Sequence, residues 1–166
     1  KHMTQSLDTM GSYPGGVPNY EGAIGYDGEN INGVDVTMPV MNFSETHYLS
    51  DKKVTTKYKK IIAELTGTMN NKSFKGYDAG EVLFLGASGS KRGDGYWEIT
   101  YKFAVSVHKR NFEVGEISIP YKRGWDYMWV RYEDDVADDN LIKKPTAVYI
   151  EQVYEFEDFG YLGIGR

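Results

Sequence analysis

Between Tyr96 and His108 the sequence YWEITYKFAVSVH alternates apolar and polar residues almost without error. Trp97, Ile99, Tyr101, Phe103, Val105 and Val107 fall on one side, and Glu98, Thr100, Lys102 and Ser106 on the other. A period of two held that long predicts a β-strand with one face buried and one face wet. Related runs at Phe112–Ile119, Gly124–Tyr132 and Thr146–Phe156 predict an antiparallel sheet around it. Composition agrees, since 14 Tyr, 7 Phe and 3 Trp beside 19 Gly suit a twisted sheet in which aromatics fill the faces and glycines make the turns.

One helix interrupts the pattern. Val54, Tyr58, Ile61, Ile62 and Leu65 recur at helical spacing after Ser50-Asp51, and Gly67 follows as a stop. A helix is therefore predicted over about 51–66. Lys52, Lys53, Lys57, Lys59 and Lys60 would occupy its solvated face, which could alternatively hold an acidic partner. The fold class expected is α+β, mainly β with one flanking α-helix, built as an antiparallel β-sandwich or barrel.

The remaining segments follow from turn chemistry and length. Residues 1–33 are rich in Gly, Pro, Asn and Tyr and read as an extended arm, with Tyr13 and Tyr20 as contact candidates. A single β-rich domain is expected over 34–160, followed by a Gly- and aromatic-rich tail at 161–166. Val34–Phe43 alternates as a strand, and Pro39 places it at an edge or strand end. Asn70–Gly80 is predicted as a loop and Glu81–Gly86 as a short buried strand. Ala87–Gly95 is expected to project as a flexible finger, too long for a tight hairpin. Turns are predicted at His108–Asn111 and Pro120–Gly124, and Glu133–Lys144 as an acidic excursion.

Several chemistries are disfavoured. The chain of 166 residues has no cysteine, so neither disulfides nor thiolate metal sites are available. Its formal charge of −5, with acids and bases interspersed, argues against duplex binding by phosphate neutralisation. No apolar run approaches the ~20 residues that a membrane-spanning helix needs. The start, KHMTQSLDTMGS, lacks an apolar core and is not expected to be a signal peptide; it reads as an internal cut or processed end.

Gly86-Ala87-Ser88-Gly89-Ser90-Lys91 superficially suggests a phosphate loop, but the spacing differs and a strand, not a helix, follows. Ser90 also stands where a nucleophile elbow requires glycine. Ser88, Ser90, Lys91 and Arg92 are better read as a subunit-contact loop. His2, His47 and His108 show no metal-binding spacing and read as strand-end or turn residues. The acidic run Glu133–Asp139 lacks EF-hand spacing and reads as a solvated loop, with Ca²⁺ binding as the alternative. Trp125, Tyr127 and Trp129, extended by Arg131, form an aromatic stripe that either packs on the helix or a neighbouring subunit, or stacks sugars. No catalytic, cofactor-binding or metal-ligating residue is assigned, and no cofactor is expected.

Longer segments carry a resemblance. MTQSL (3–7), GAIG (22–25), GVDVTMPV (33–40), FSETHYL (43–49), GEVLFLGASGSKRGDGYWEITYKFA (80–104), KRGWDYMWVRYED (122–134) and KPTAVYIEQVY with FGYLGIG (144–165) look like a family of tailed-phage and prophage-like structural proteins that also occurs in planctomycete genomes. The resemblance covers most of the chain and brings no catalytic residues. It implies a virion component, not an enzyme, located in the particle after assembly in the host cytoplasm. Its expected partners are copies of itself and other virion proteins, without sequence-specific nucleic-acid binding or membrane insertion. A tail or neck protein forming rings is expected; glycan binding through the Trp125/Tyr127/Trp129 face, or cell-wall hydrolysis, are alternatives. Members of that family carry a further N-terminal stretch, so the chain is expected to be the C-terminal part of a longer parent.

Overall fold

The computed structural model describes the backbone of residues 2–3, 37–38, 40–93, 95–137 and 140–165, and the side chains of 40–93, 95–128, 136 and 147–165. In chain order the elements are β1 (His2–Met3), β2 (Thr37–Met38), β3 (Met41–Ser50), α1 (Thr56–Leu65), β4 (Met69–Asn70), β5 (Val82–Arg92), β6 (Tyr96–Val105), β7 (Lys109–Val114), β8 (Ile117–Lys122), β9 (Tyr127–Ala137), β10 (Asn140–Glu151) and β11 (Phe156–Glu157). A 3-10 turn at Phe159–Leu162 follows. The protein is thus mainly β with one α-helix among the described residues. β11 runs parallel to β4 and every other pairing is antiparallel. The chain divides into two compact units, Val40–Val107 with Tyr154–Arg166, and Lys1–Pro39 with His108–Val153.

The first unit is a five-stranded sheet in the order β11-β4-β5-β6-β3. Most of the long alternating run forms β6, with Ile99, Tyr101, Phe103 and Val105 buried on one face; beyond the strand end the pattern fails, since Val107 is exposed and Ser106, expected on the wet side, is buried. Val82 and Phe84 of β5 join them, and α1 covers the layer with Tyr58, Ile61, Ile62 and Leu65. Phe103 sits at the middle, its ring centroid 5.0 Å from Phe43, 5.2 Å from Phe74 and 5.2 Å from Phe84. The C-terminal segment closes this core with Phe159, Leu162 and Ile164.

The helix starts later than the sequence suggests. Ser50 remains in β3 opposite Tyr96, and the Asp51 amide bonds the Gly95 carbonyl at 2.9 Å, so the helix opens only at Thr55. The Thr55 hydroxyl caps it by accepting from the Tyr58 amide at 3.2 Å. Gly67, at φ +83°, ends it in the left-handed region as expected. Asn70–Gly80 is a loop, but an ordered one. The buried Asn70 side chain bonds the amides of Gly80 and Val82 and the carbonyls of Lys72 and Asp78. Phe74 and Tyr77 close a minimal hairpin across Lys75 and Gly76, both at positive φ, which points the Phe74 ring into the core.

Several expectations need adjustment. Of the strand expected at 34–43, Thr37–Met38 form β2 and Met41–Phe43 open β3, which runs on to Ser50, while 34–36 and Pro39 lie outside the described residues. The expected finger at 87–95 is instead a continuation of β5, paired with β6 as far as Arg92 opposite Tyr96. Gly93 and Gly95 lie in the turn that follows, Gly95 at φ +80° in the left-handed region that favours glycine. A bulge at Gly86, φ +111°, re-registers β5 so that its polar half can pair. Phe112–Ile119 is not one strand: Gly115-Glu116 folds it into the β7–β8 hairpin.

The second unit consists of two-stranded ribbons. In β7–β8 the ladder skips Asn111 and Pro120, where proline has no N–H to give. The turn expected at Pro120–Gly124 comes later, because Pro120–Lys122 belong to β8; between Lys122 and β9 the Arg123 guanidinium holds Asp126 Oδ1 through two nitrogens at 3.1 Å, and the Gly124 amide bonds His108 Nδ1 at 2.9 Å. Beneath it lies Lys122, 1% exposed, donating to the Gly124 carbonyl at 3.0 Å. The acidic stretch expected as an excursion belongs to a long ribbon, with β9 and β10 paired from Tyr127–Glu151 to Ala137–Asn140. Its register shifts once, between Pro145 and Ala147.

Candidate interaction surface

Strand β3 forms one edge of the five-stranded sheet and has β6 as its only ladder neighbour among the described residues. The opposite edge is the two-residue β11, too short to invite pairing. By contrast β3 stays in register with β6 from Met41–Val105 to Ser50–Tyr96 without a break. It carries no proline, lysine or bulge, the usual devices that blunt an edge.

Its two faces differ. Asn42, Ser44, Thr46, Tyr48 and Ser50 are exposed and uncharged, while Phe43, Glu45, His47 and Leu49 on the core side are half-buried. Tyr48 is 65% exposed and meets Tyr96 edge-on, with ring centroids 5.8 Å apart. On the core side His47 Nε2 lies 2.9 Å from Glu45 Oε1, and Lys75 Nζ reaches the same oxygen at 3.1 Å. Lys75 also donates to the Ile164 carbonyl at 2.5 Å. Burial alone would raise the Glu45 pKa, but the bonds from His47 and Lys75 outweigh it and hold the carboxyl below its usual range. Glu45 is therefore a carboxylate at neutral pH, on a strand whose outer edge has no ladder partner among the described residues.

A groove lies on the same sheet between α1 and β5. It comprises adjoining hollows of about 240 and 400 Å³ that share Lys59, Ile62, Ala87 and Ser88. Lys59 Nζ sits 4.7 Å from the centre of the Trp97 ring, covering one face of the indole.

The sequence-derived contact residues fall in both units and in part outside the described residues. Ser88, Ser90, Lys91 and Arg92 lie exposed on β5, where Lys91 pairs with Asp51 at 3.2 Å and Arg92 pairs with Glu98. Trp125 departs from the expected stripe: it lies in the turn before β9 and is only 2% exposed, while Tyr127 opens the strand half-buried. The backbones of Trp129 and Arg131 lie in β9 and their side chains fall outside the described residues, as do Tyr13 and Tyr20 entirely. The side chains proposed as the Ca²⁺ alternative, Glu133–Asp135 and Asp138–Asp139, also fall outside them. Sequence reasoning passed over Thr46 and Tyr48 and treated His47 as incidental. The signal available was FSETHYL itself, in which an acid and a base flank a central threonine.

Among the described residues no helix is long and apolar enough to cross a membrane. Comparison with known protein families, curated proteins and solved structures finds no match in any of the three.

Proposed function

We propose that the chain is a structural protein of a tailed phage or phage-like particle, a tail or neck component whose copies join into symmetric homo-oligomeric rings. The observation that carries this reading is the β9–β10 ribbon, with strands of 11 and 12 residues in a sheet that holds only those two among the described residues. A two-stranded ribbon is marginal in water by itself and gains stability when a further strand or layer covers it. In a ring, ribbons of neighbouring copies would complete a sandwich or barrel of the tail-tube type and pair their spare edges. The phage-family resemblance points the same way, and a net charge of −5 suits a lumen that does not grip passing DNA. Glycan stacking has less support, because buried Trp125 cannot contribute a ring to an open face.

Sedimentation and negative-stain imaging of the chain, with and without residues 129–149 replaced by a short Gly-Ser turn, test the reading. Rings or larger assemblies that the replacement dissolves are expected. A chain that stays monomeric at every concentration reached would overturn it.

A further inference from the structure

We propose that β3 pairs antiparallel with β3 of a second copy, about a two-fold axis passing through Thr46. This rests on the reading that the chain self-assembles, and it adds the surface, the symmetry and the register.

The self-complementarity of the strand carries the inference. In antiparallel pairing, residues directly opposite each other point to the same side of the sheet. With the axis on Thr46, Phe43 faces Leu49 of the second copy, Glu45 faces the second copy's His47, and both pairs recur on the other side of the axis. On the wet side Thr46 faces Thr46, Ser44 faces Tyr48, and Asn42 faces Ser50. Every core-side pair is thus apolar against apolar or acid against base. His47 and Lys75 both reach Glu45 Oε1, so within the chain Oε2 keeps no partner among the described residues and is available to a donor from the second copy.

Neighbouring registers are worse. An axis on Glu45 sets two carboxylates against each other and Phe43 against His47; an axis on His47 opposes two imidazoles and sets Glu45 against Leu49. A slip by half that step would align the core-side row of one copy with the wet row of the other. The Thr46 register also joins the two sheets into one, so that their core faces run on continuously. A two-fold contact here combined with a cyclic contact elsewhere gives two rings back to back.

The absence of cysteine gives a clean background for reading the register by cross-linking. Only a residue on the axis lies opposite its own copy, so Thr46→Cys is expected to form a covalent dimer under mild oxidation or with a short bis-maleimide. Asn42→Cys, Ser44→Cys and Tyr48→Cys should each cross-link several-fold less, while the Ser44→Cys/Tyr48→Cys double variant should recover the yield. In the Thr46→Cys background His47→Glu should lower the yield and Glu45→Lys/His47→Glu restore it, with circular dichroism confirming that each variant folds. Equal yields from Thr46→Cys and Asn42→Cys in a protein that still assembles would overturn this register and leave the structural role standing. A monomer without cross-links, as when residues between 4 and 36 of the same chain cover the edge, would overturn both.

Discussion

The Tyr101 hydroxyl lies 2.5 Å from that of Tyr58, and Tyr58 in turn donates to the Leu162 carbonyl at 2.6 Å. Because Tyr58 spends its proton on the carbonyl, Tyr101 must be the donor to Tyr58. Burial and this donation together push the Tyr101 phenol well above its ordinary pKa. The short chain of bonds ties the sheet, the helix and the C-terminal segment at one point.

Removing the middle of that chain should cost more than removing its end. Tyr58→Phe leaves both the Tyr101 hydroxyl and the Leu162 carbonyl buried without a partner, at about 1–3 kcal/mol for each stranded group. Tyr101→Phe keeps the Tyr58–Leu162 bond and should cost about 1 kcal/mol. Urea unfolding of the two variants checks the order, and equal losses would show that the relay does not act as described.

Phe103 is fully buried among Phe43, Phe74, Phe84 and Phe159. Phe103→Ala opens a cavity at the centre of the aromatic cluster and should destabilise the protein by about 3–5 kcal/mol. Phe103→Leu should recover part of it. Thermal unfolding distinguishes the two.

Gly86 and Gly93 offer a paired test of backbone strain. Gly86 sits at φ +111° in the β5 bulge, so Gly86→Ala should cost about 1–3 kcal/mol even though a Cβ there would meet nothing closer than Thr66 Cγ2 at 3.5 Å. Gly93 is unstrained and open, and Gly93→Ala should change stability by less than about 0.5 kcal/mol. Denaturation midpoints measured side by side decide the matter.

Lys122 predicts a pH dependence. Burial pushes its pKa down from 10.5 to about 8, with Asp126 opposing the shift and Lys109 adding to it. Below the lower value both folded and unfolded chains hold the proton, and the fold bears the whole cost of the buried cation. Between pH 8 and 10.5 the unfolded chain keeps a proton that the folded chain sheds, so stability rises with pH and then levels off. The rise should amount to roughly 3 kcal/mol and should vanish in Lys122→Met. Urea midpoints across that range, wild type minus variant, measure it.

Much of the architecture could be read from spacing alone. The alternation of Tyr96–His108 named the strand that ends at Val105 and its buried row from Ile99 to Val105, the stripe from Val54 to Leu65 named the residues by which the helix region packs, and Val82–Phe84 is the buried strand expected there. These signals survive because each needs only neighbours a few residues away to place apolar side chains on one side.

What spacing missed is what depends on remote partners. The core-side row of β3 includes Glu45 and His47, so its period of two is invisible to hydropathy; Lys75, distant in the chain, neutralises the acid and makes the strand tenable. The Gly- and Ser-rich stretch after Leu85 looks like a loop until β6 supplies its ladder, and Trp125, read as part of a strand's aromatic stripe, lies buried in the turn before β9. Local chemistry decides which side of an element avoids water. Which strand lies alongside, and which edge is left open, is settled only when distant segments exchange hydrogen bonds, because the backbone groups being paired are the same in every residue.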